Sequence, residues 1–94
     1  MAATFEWDRA KAARNYATHG VTFDEASTVF GDPLGRIVDD SRHSRGEERF
    51  VIIGLSGRSR LLAVMFTERR ERIRLISARP VTRAERNNYE ESAR

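Results

Sequence analysis

The chain predicts an α+β fold: an antiparallel sheet with two helices before its main strands and one after, in the order β-α-α-β-β-β-β-α. Three observations carry this. Apolar or alternating runs between residues 35 and 77 are joined by links as short as "SGRS" and "ERRE", the length of antiparallel hairpins. Two capping boxes, "TFDE" and "TRAE", each set a threonine three residues ahead of a glutamate, the mark of a helix start. The 94 residues, 39% of them hydrophobic and 33% charged, suit one modest core, so a single domain over 1–94 is expected.

The elements follow in order. In "ATFEW" (3–7) Phe5 and Trp7 share one face of a short strand, and Trp7 is expected in the core. Asp8 caps a helix that runs to about His19, where Gly20 ends it in a left-handed conformation. On that helix Ala13, Tyr16 and Ala17 predict the packing face, and Lys11, Asn15 and His19 a polar stripe opposite. Thr22 and Glu25 open a second helix, which buries Phe23, Ala26, Val29 and Phe30 and stops at Gly31-Asp32-Pro33. "GRIVDD", "RFVIIGLS", "RLLAVMFT" and "RIRLIS" are the remaining strands, with a polar loop at 39–48. Pro80 ends the sheet, and Thr82 with Glu85 caps a last helix near 83–92. The helices are expected mainly on one face of the sheet.

Charge is divided along the chain. Residues 1–48 hold six basic and nine acidic residues, residues 49–94 eleven basic and five acidic, and Lys11 is the one lysine among seventeen cations. Arginine's planar fork matches phosphate or carboxylate two bonds at a time, so the basic half points to a polyanion or an acidic protein. No apolar run approaches a membrane span, no leader is read at the N-terminus, and a soluble cytoplasmic protein with no membrane partner is expected. Cysteine is absent and no His, Asp or Glu cluster has ligand spacing, so no metal or cofactor is expected.

The hairpin "FTERRERIRLISARP" (66–80) concentrates this charge in Arg69, Arg70, Arg72, Arg74 and Arg79. Strict alternation puts Arg72 and Arg74 on one face and Arg79 on the other, with Ile73 and Leu75. On that reading the arginines cannot share a face.

Three segments, "FEWDRAKAARNYATHGVTFDEASTVFGDP", "HSRGEERFVIIGLS" and "RLLAVMFTERRERIRLISARPVTRAERNNYEE", resemble the BrnT toxins in the same order and with the same gaps. The likeness spans about Phe5 to Glu91. Thr18-His19-Gly20 stands where many relatives read Lys-His-Gly, and Arg70 where relatives often have glycine. The resemblance implies a RelE-like fold, a ribonuclease toxin of a type II toxin–antitoxin pair, and a BrnA-type antitoxin that binds both the toxin and operator DNA. Operator DNA would then be reached only through the antitoxin complex.

RNA cleavage without a metal needs a base for the 2′-OH proton, an acid for the leaving oxygen, and cations for the developing phosphoryl charge. Arg79, at a strand end, is the first candidate for phosphate stabilisation, unless it pairs with Glu85 instead. Arg69 in the turn, Lys11 on the first helix, His43 in the charged loop and Glu68 complete the catalytic candidates. Arg70, Arg72, Arg74, His19, Asn15 and Tyr89 are candidates for holding RNA. Tyr89 equally suits core packing, and His19 a helix C-terminus. The leading expectation is a growth-arresting endoribonuclease. A non-catalytic nucleic-acid-binding or antitoxin-binding module would need the cations but no proton-transfer groups.

Overall fold

The computed structural model describes residues 3–39 and 46–92. Strand β1 (Thr4–Glu6) leads into helix α1 (Arg9–His19) and helix α2 (Phe23–Thr28), which tightens into a 3-10 turn at Val29–Gly31. Strands β2 (Arg36–Asp39), β3 (Phe50–Leu55), β4 (Leu61–Arg69) and β5 (Arg72–Pro80) follow, then helix α3 (Arg83–Ser92). The sheet order is β1-β5-β4-β3-β2. From β2 to β5 each neighbour is antiparallel, while β1 runs parallel to β5, so the sheet is mixed rather than wholly antiparallel. The chain starts at one edge, crosses a face as α1 and α2, and meanders back from the other edge.

Helices cover both faces, not mainly one. On the first, Val21, Phe23, Ala26 and Val29 meet Ile52, Leu62, Val64, Phe66, Leu75 and Ala78. Trp7 packs edge-on to Phe23 at 5.9 Å, and Phe30 lies between Phe5 and Phe66 at 5.1 and 4.9 Å. Gly54 permits this approach, since a Cβ there would lie 3.0 Å from Val29 Cγ1 and 3.1 Å from Asp32 Oδ2. On the second face Val51, Ile53 and Ala63 are packed by Met65, by Val81 just ahead of α3 and by Tyr89 of α3, a helix that buries no residue of its own. Polar ties therefore do much of the holding.

Helix α1 ends as the sequence predicts, with Asp8 Oδ1 accepting from the Ala10 N–H at 3.0 Å and Gly20 at φ 69°. Its rotation differs. Ala13, Tyr16 and Ala17 face solvent, whereas Ala12 packs on the core and Asn15 is buried. The reason lies in β5. Strand β1 covers only Arg72–Arg74, which leaves the β5 edge open at Ala78. Asn15 closes it: Oδ1 accepts from the Ala78 N–H at 3.0 Å, and Nδ2 donates to the carbonyls of Ala78 (2.9 Å) and Val21 (3.0 Å). Asn15 is thus a sheet-edge residue rather than part of an exposed RNA-binding stripe, because a buried backbone pair needs partners more than a helix surface needs another amide.

The capping boxes also differ. At α3 both halves form, the Thr82 N–H donating to Glu85 and the Glu85 N–H to Thr82 Oγ1. At α2 Thr22 Oγ1 accepts from the Glu25 N–H, but the Glu25 carboxylate turns to Arg60 and to Ser56 Oγ, which donates at 2.7 Å. A buried carboxylate takes a guanidinium ahead of one backbone N–H.

Strand β5 carries a bulge. Met65 pairs with Ser77 and Phe66 with Leu75, so Ile76 is the extra residue. The alternation resets across it: Leu75 and Ala78 both enter the core, and Arg79 lies on the face of Arg72 and Arg74. The division of arginines that strict alternation predicts is therefore overturned. The hairpin turn is tighter than "ERRE" implies, with Arg69 paired to Arg72 and Arg70 at φ 57°. A non-glycine residue there costs about 1 kcal/mol. Arg70→Gly is expected to raise the melting temperature by roughly 2–6 °C, as differential scanning calorimetry can read; a lower melting temperature would contradict the strain.

Candidate active site

The reset sheet face gathers Arg69 from β4 with Arg72, Arg74 and Arg79 from β5. Each guanidinium is held by a carboxylate from outside its own strand, Arg72 and Arg74 sharing one. Arg79 Nη1 and Nη2 donate to Glu85 at 2.8 and 3.0 Å. Arg74 lies 3.0 Å and Arg72 3.7 Å from the Glu6 carboxylate of β1. Arg69 donates to Glu47 at 3.1 and 3.2 Å. Arg70 joins Glu6, Arg69, Glu71 and Arg72 around an open groove of about 670 Å³ at the hairpin end.

These pairs fix charge as well as position. The hydrogen bonds from Arg79 hold the Glu85 carboxyl below its ordinary range, and those from Arg69 do the same for Glu47. Reciprocally, Glu85 raises Arg79 and Glu47 raises Arg69. Both carboxylates stay ionised at neutral pH, so the arginines are oriented within a row of alternating charge. Sequence reasoning named Glu85 as a partner but missed Glu6 and Glu47. Glu6 was recoverable, since Phe5 and Trp7 pointing inward leave Glu6 on the opposite face, beside Arg74 once β1 lies next to β5.

The other candidates lie elsewhere. Glu68 pairs with Ile73 and projects from the opposite face to the arginine row, which separates it from Arg79. Lys11 and His19 line a groove with Arg14, Thr18 and Ile76, on the α1 side of the sheet. Tyr89 donates its hydroxyl to Asp32 Oδ2 at 2.7 Å, so it ties α3 to the β2 approach rather than offering its hydroxyl to RNA. That bond, with burial, pushes the Tyr89 hydroxyl up to about 12, beyond proton transfer near neutrality. His43 lies outside the described residues. Among the described residues no group of three or more His, Cys, Asp or Glu is placed to hold a metal ion.

Residues 7–85 match the family model of the ribonuclease toxin BrnT of type II toxin–antitoxin systems. The chain belongs to the BrnT family. A search of solved structures finds similarity to the 1.1 Å crystal structure of the Brucella abortus ribonuclease toxin BrnT, with a TM-score of 0.66 at 20% identity. That match covers 87% of this chain and 100% of the other, and at this identity it speaks for the shared fold. No curated protein matches the sequence. No described helix is long and apolar enough to cross a membrane.

For this BrnT chain the folding ties are as marked as the candidate site. Burial pushes the Asp32 carboxyl up, but donation from the Leu55 N–H, the Tyr89 hydroxyl and the Leu34 N–H outweighs it and holds the group low. Hydrogen bonding from Arg60 holds Glu25 low against its burial. Depressed folded values mean stability present above the ordinary 3.8–4.5 and lost as pH falls through the lower folded values. The urea midpoint is therefore expected to stay level from pH 7 to about 5 and fall below about 4. A midpoint unchanged at pH 2.5 would show these carboxylates to be unimportant for folding.

Proposed function

We propose that this chain is the toxin of a type II pair, a single-domain, metal-independent endoribonuclease that arrests growth by cutting cellular RNA and so inhibiting translation. Its neutralising partner is a BrnA-type antitoxin, and operator DNA is reached only through that complex. One observation carries the reading: the Ile76 bulge sets Arg69, Arg72, Arg74 and Arg79 on one face, oriented by Glu6, Glu47 and Glu85. Cleavage by 2′-OH attack supplies its own nucleophile, so the protein's part is to hold the phosphate, stabilise phosphoryl charge and move protons. Arg79 stabilises the phosphoryl oxygens, and Arg72 and Arg74 hold the flanking backbone. Glu6, which pairs with two arginines of the row, takes the 2′-OH proton in this reading. Glu47 and Glu85, held low by their own arginines, serve as positioning groups.

The test is purified, antitoxin-free protein against a defined RNA in EDTA, beside Arg79→Ala. Fragments ending in 2′,3′-cyclic phosphate, made by the wild type and not by the variant, are the expected result. Intact RNA, with and without translating ribosomes, would leave the arginine face as a binding surface for nucleic acid or antitoxin and end the nuclease reading.

A further inference from the structure

We propose that the groove between α1 and the bulged edge of β5 is a second site for the RNA sugar-phosphate backbone, separate from the arginine face. The inference rests on the ribonuclease reading above and extends it to where the substrate strand is first held.

The two surfaces differ in how far their charge is neutralised. On the arginine face every row member has a carboxylate partner: Arg69 has Glu47, Arg72 and Arg74 share Glu6, and Arg79 has Glu85. An incoming phosphate must compete with those partners. The α1 groove is the reverse case. It holds about 390 Å³ and is lined by Lys11, Arg14, Thr18 and His19, with Asn15 and Ile76 as its floor. Helix α1 contains no acidic residue, and among the described residues Lys11, Arg14 and His19 form no ion pair. Phosphate binding there releases counter-ions without breaking an internal salt bridge.

The groove is also preformed. Asn15 is locked to Ala78 on both its amide oxygen and its amide nitrogen, so α1 is fixed in height and rotation against β5. Lys11, Arg14 and Thr18 then lie on one helix flank, set by the spacing of three and four residues. The two sites connect around an uncovered edge. Strand β1 stops at the Glu6–Arg74 pair, and Ile76, which lines the groove, follows two residues later, roughly 7 Å of strand. A single strand on the arginine face can pass over that edge into the groove. Contacts there are to phosphate, so they hold the strand without reading its sequence.

The test compares two double variants that remove equal charge, with a fully 2′-O-methylated single-stranded RNA that lacks the attacking hydroxyl. Lys11→Ala/Arg14→Ala is expected to weaken binding about tenfold or more at low salt and to reduce the log–log salt slope by about 1.4. Arg83→Ala/Arg86→Ala, exposed on α3, is expected to weaken it less than about threefold. Equal losses in the two doubles, or no loss in the first, would overturn the groove while leaving the arginine face intact. A wild type that neither binds this probe nor cleaves native RNA would overturn the ribonuclease reading, and the groove with it.

Discussion

Arg79→Ala is expected to slow RNA cleavage by about 10²- to 10³-fold, the range for losing one donor aimed at developing oxyanion charge, and to abolish growth arrest while antitoxin binding stays measurable. The position argues for the size of the effect. Arg79 sits next to the end of β5 with its fork held against Glu85, so a phosphate that displaces the carboxylate would meet a side chain already ordered. The same bond raises a competing explanation, that Arg79 merely pins α3. Glu85→Gln separates the two. It removes the carboxylate charge and weakens the tie to α3 but leaves the cation in place. If Arg79 works on phosphate, Glu85→Gln keeps most of the activity and binds RNA more tightly. If Arg79 only holds the helix, both variants lose activity together and both melt earlier. An Arg79→Ala protein that stays fully toxic would remove this residue from the mechanism.

Asn15→Ala is the largest expected loss of stability, about 3–5 kcal/mol. The side chain supplies three hydrogen bonds at once, to the Ala78 N–H, the Ala78 carbonyl and the Val21 carbonyl. Removing it strands buried backbone groups at about 1–3 kcal/mol each, offset where water can enter beside the exposed flank of α1. Against a total of about 5–15 kcal/mol, the variant would be marginal. Asn15→Asp is a sharper control, because a carboxylate can still accept from the Ala78 N–H but faces two carbonyls as an acceptor. Both variants should lower the urea midpoint, Asp as much as Ala. A loss under about 1 kcal/mol for Ala would mean that the β5 edge is satisfied some other way.

Much of the fold was legible because its signals are local. Asp8, Gly20, Thr82 with Glu85, and the short hairpin links each mark their element within a few residues, and the observed element order follows them. What was not legible depends on partners far along the chain. Asn15 reads as a polar surface residue until β5 leaves an edge open 63 positions away. Glu25 reads as a capping glutamate until Arg60 arrives. Tyr89 reads as a stacking or packing ring until its hydroxyl meets Asp32. For the site, the arginines were visible as residue types and their common face was not. Period two holds only while the ladder is regular, and nothing in "RLISAR" marks Ile76 as unpaired. His43, in the charged loop, falls outside the described residues.

That unpaired isoleucine acts as a phase shifter. Upstream and downstream of it β5 obeys the same rule of alternation, but the two stretches are offset by one step. Deleting a single residue between Leu75 and Ser77 would leave the composition almost unchanged and the charge wholly unchanged. It would also make the ladder regular, with Ala78 still opposite Val64 and Arg79 still opposite Ala63 on the face of Arg72 and Arg74. The shared direction of these arginines is therefore inherited as a count of residues together with the bulge that absorbs the odd one, and a chain that threaded Ile76 into a regular ladder would wear the same charge on two sides.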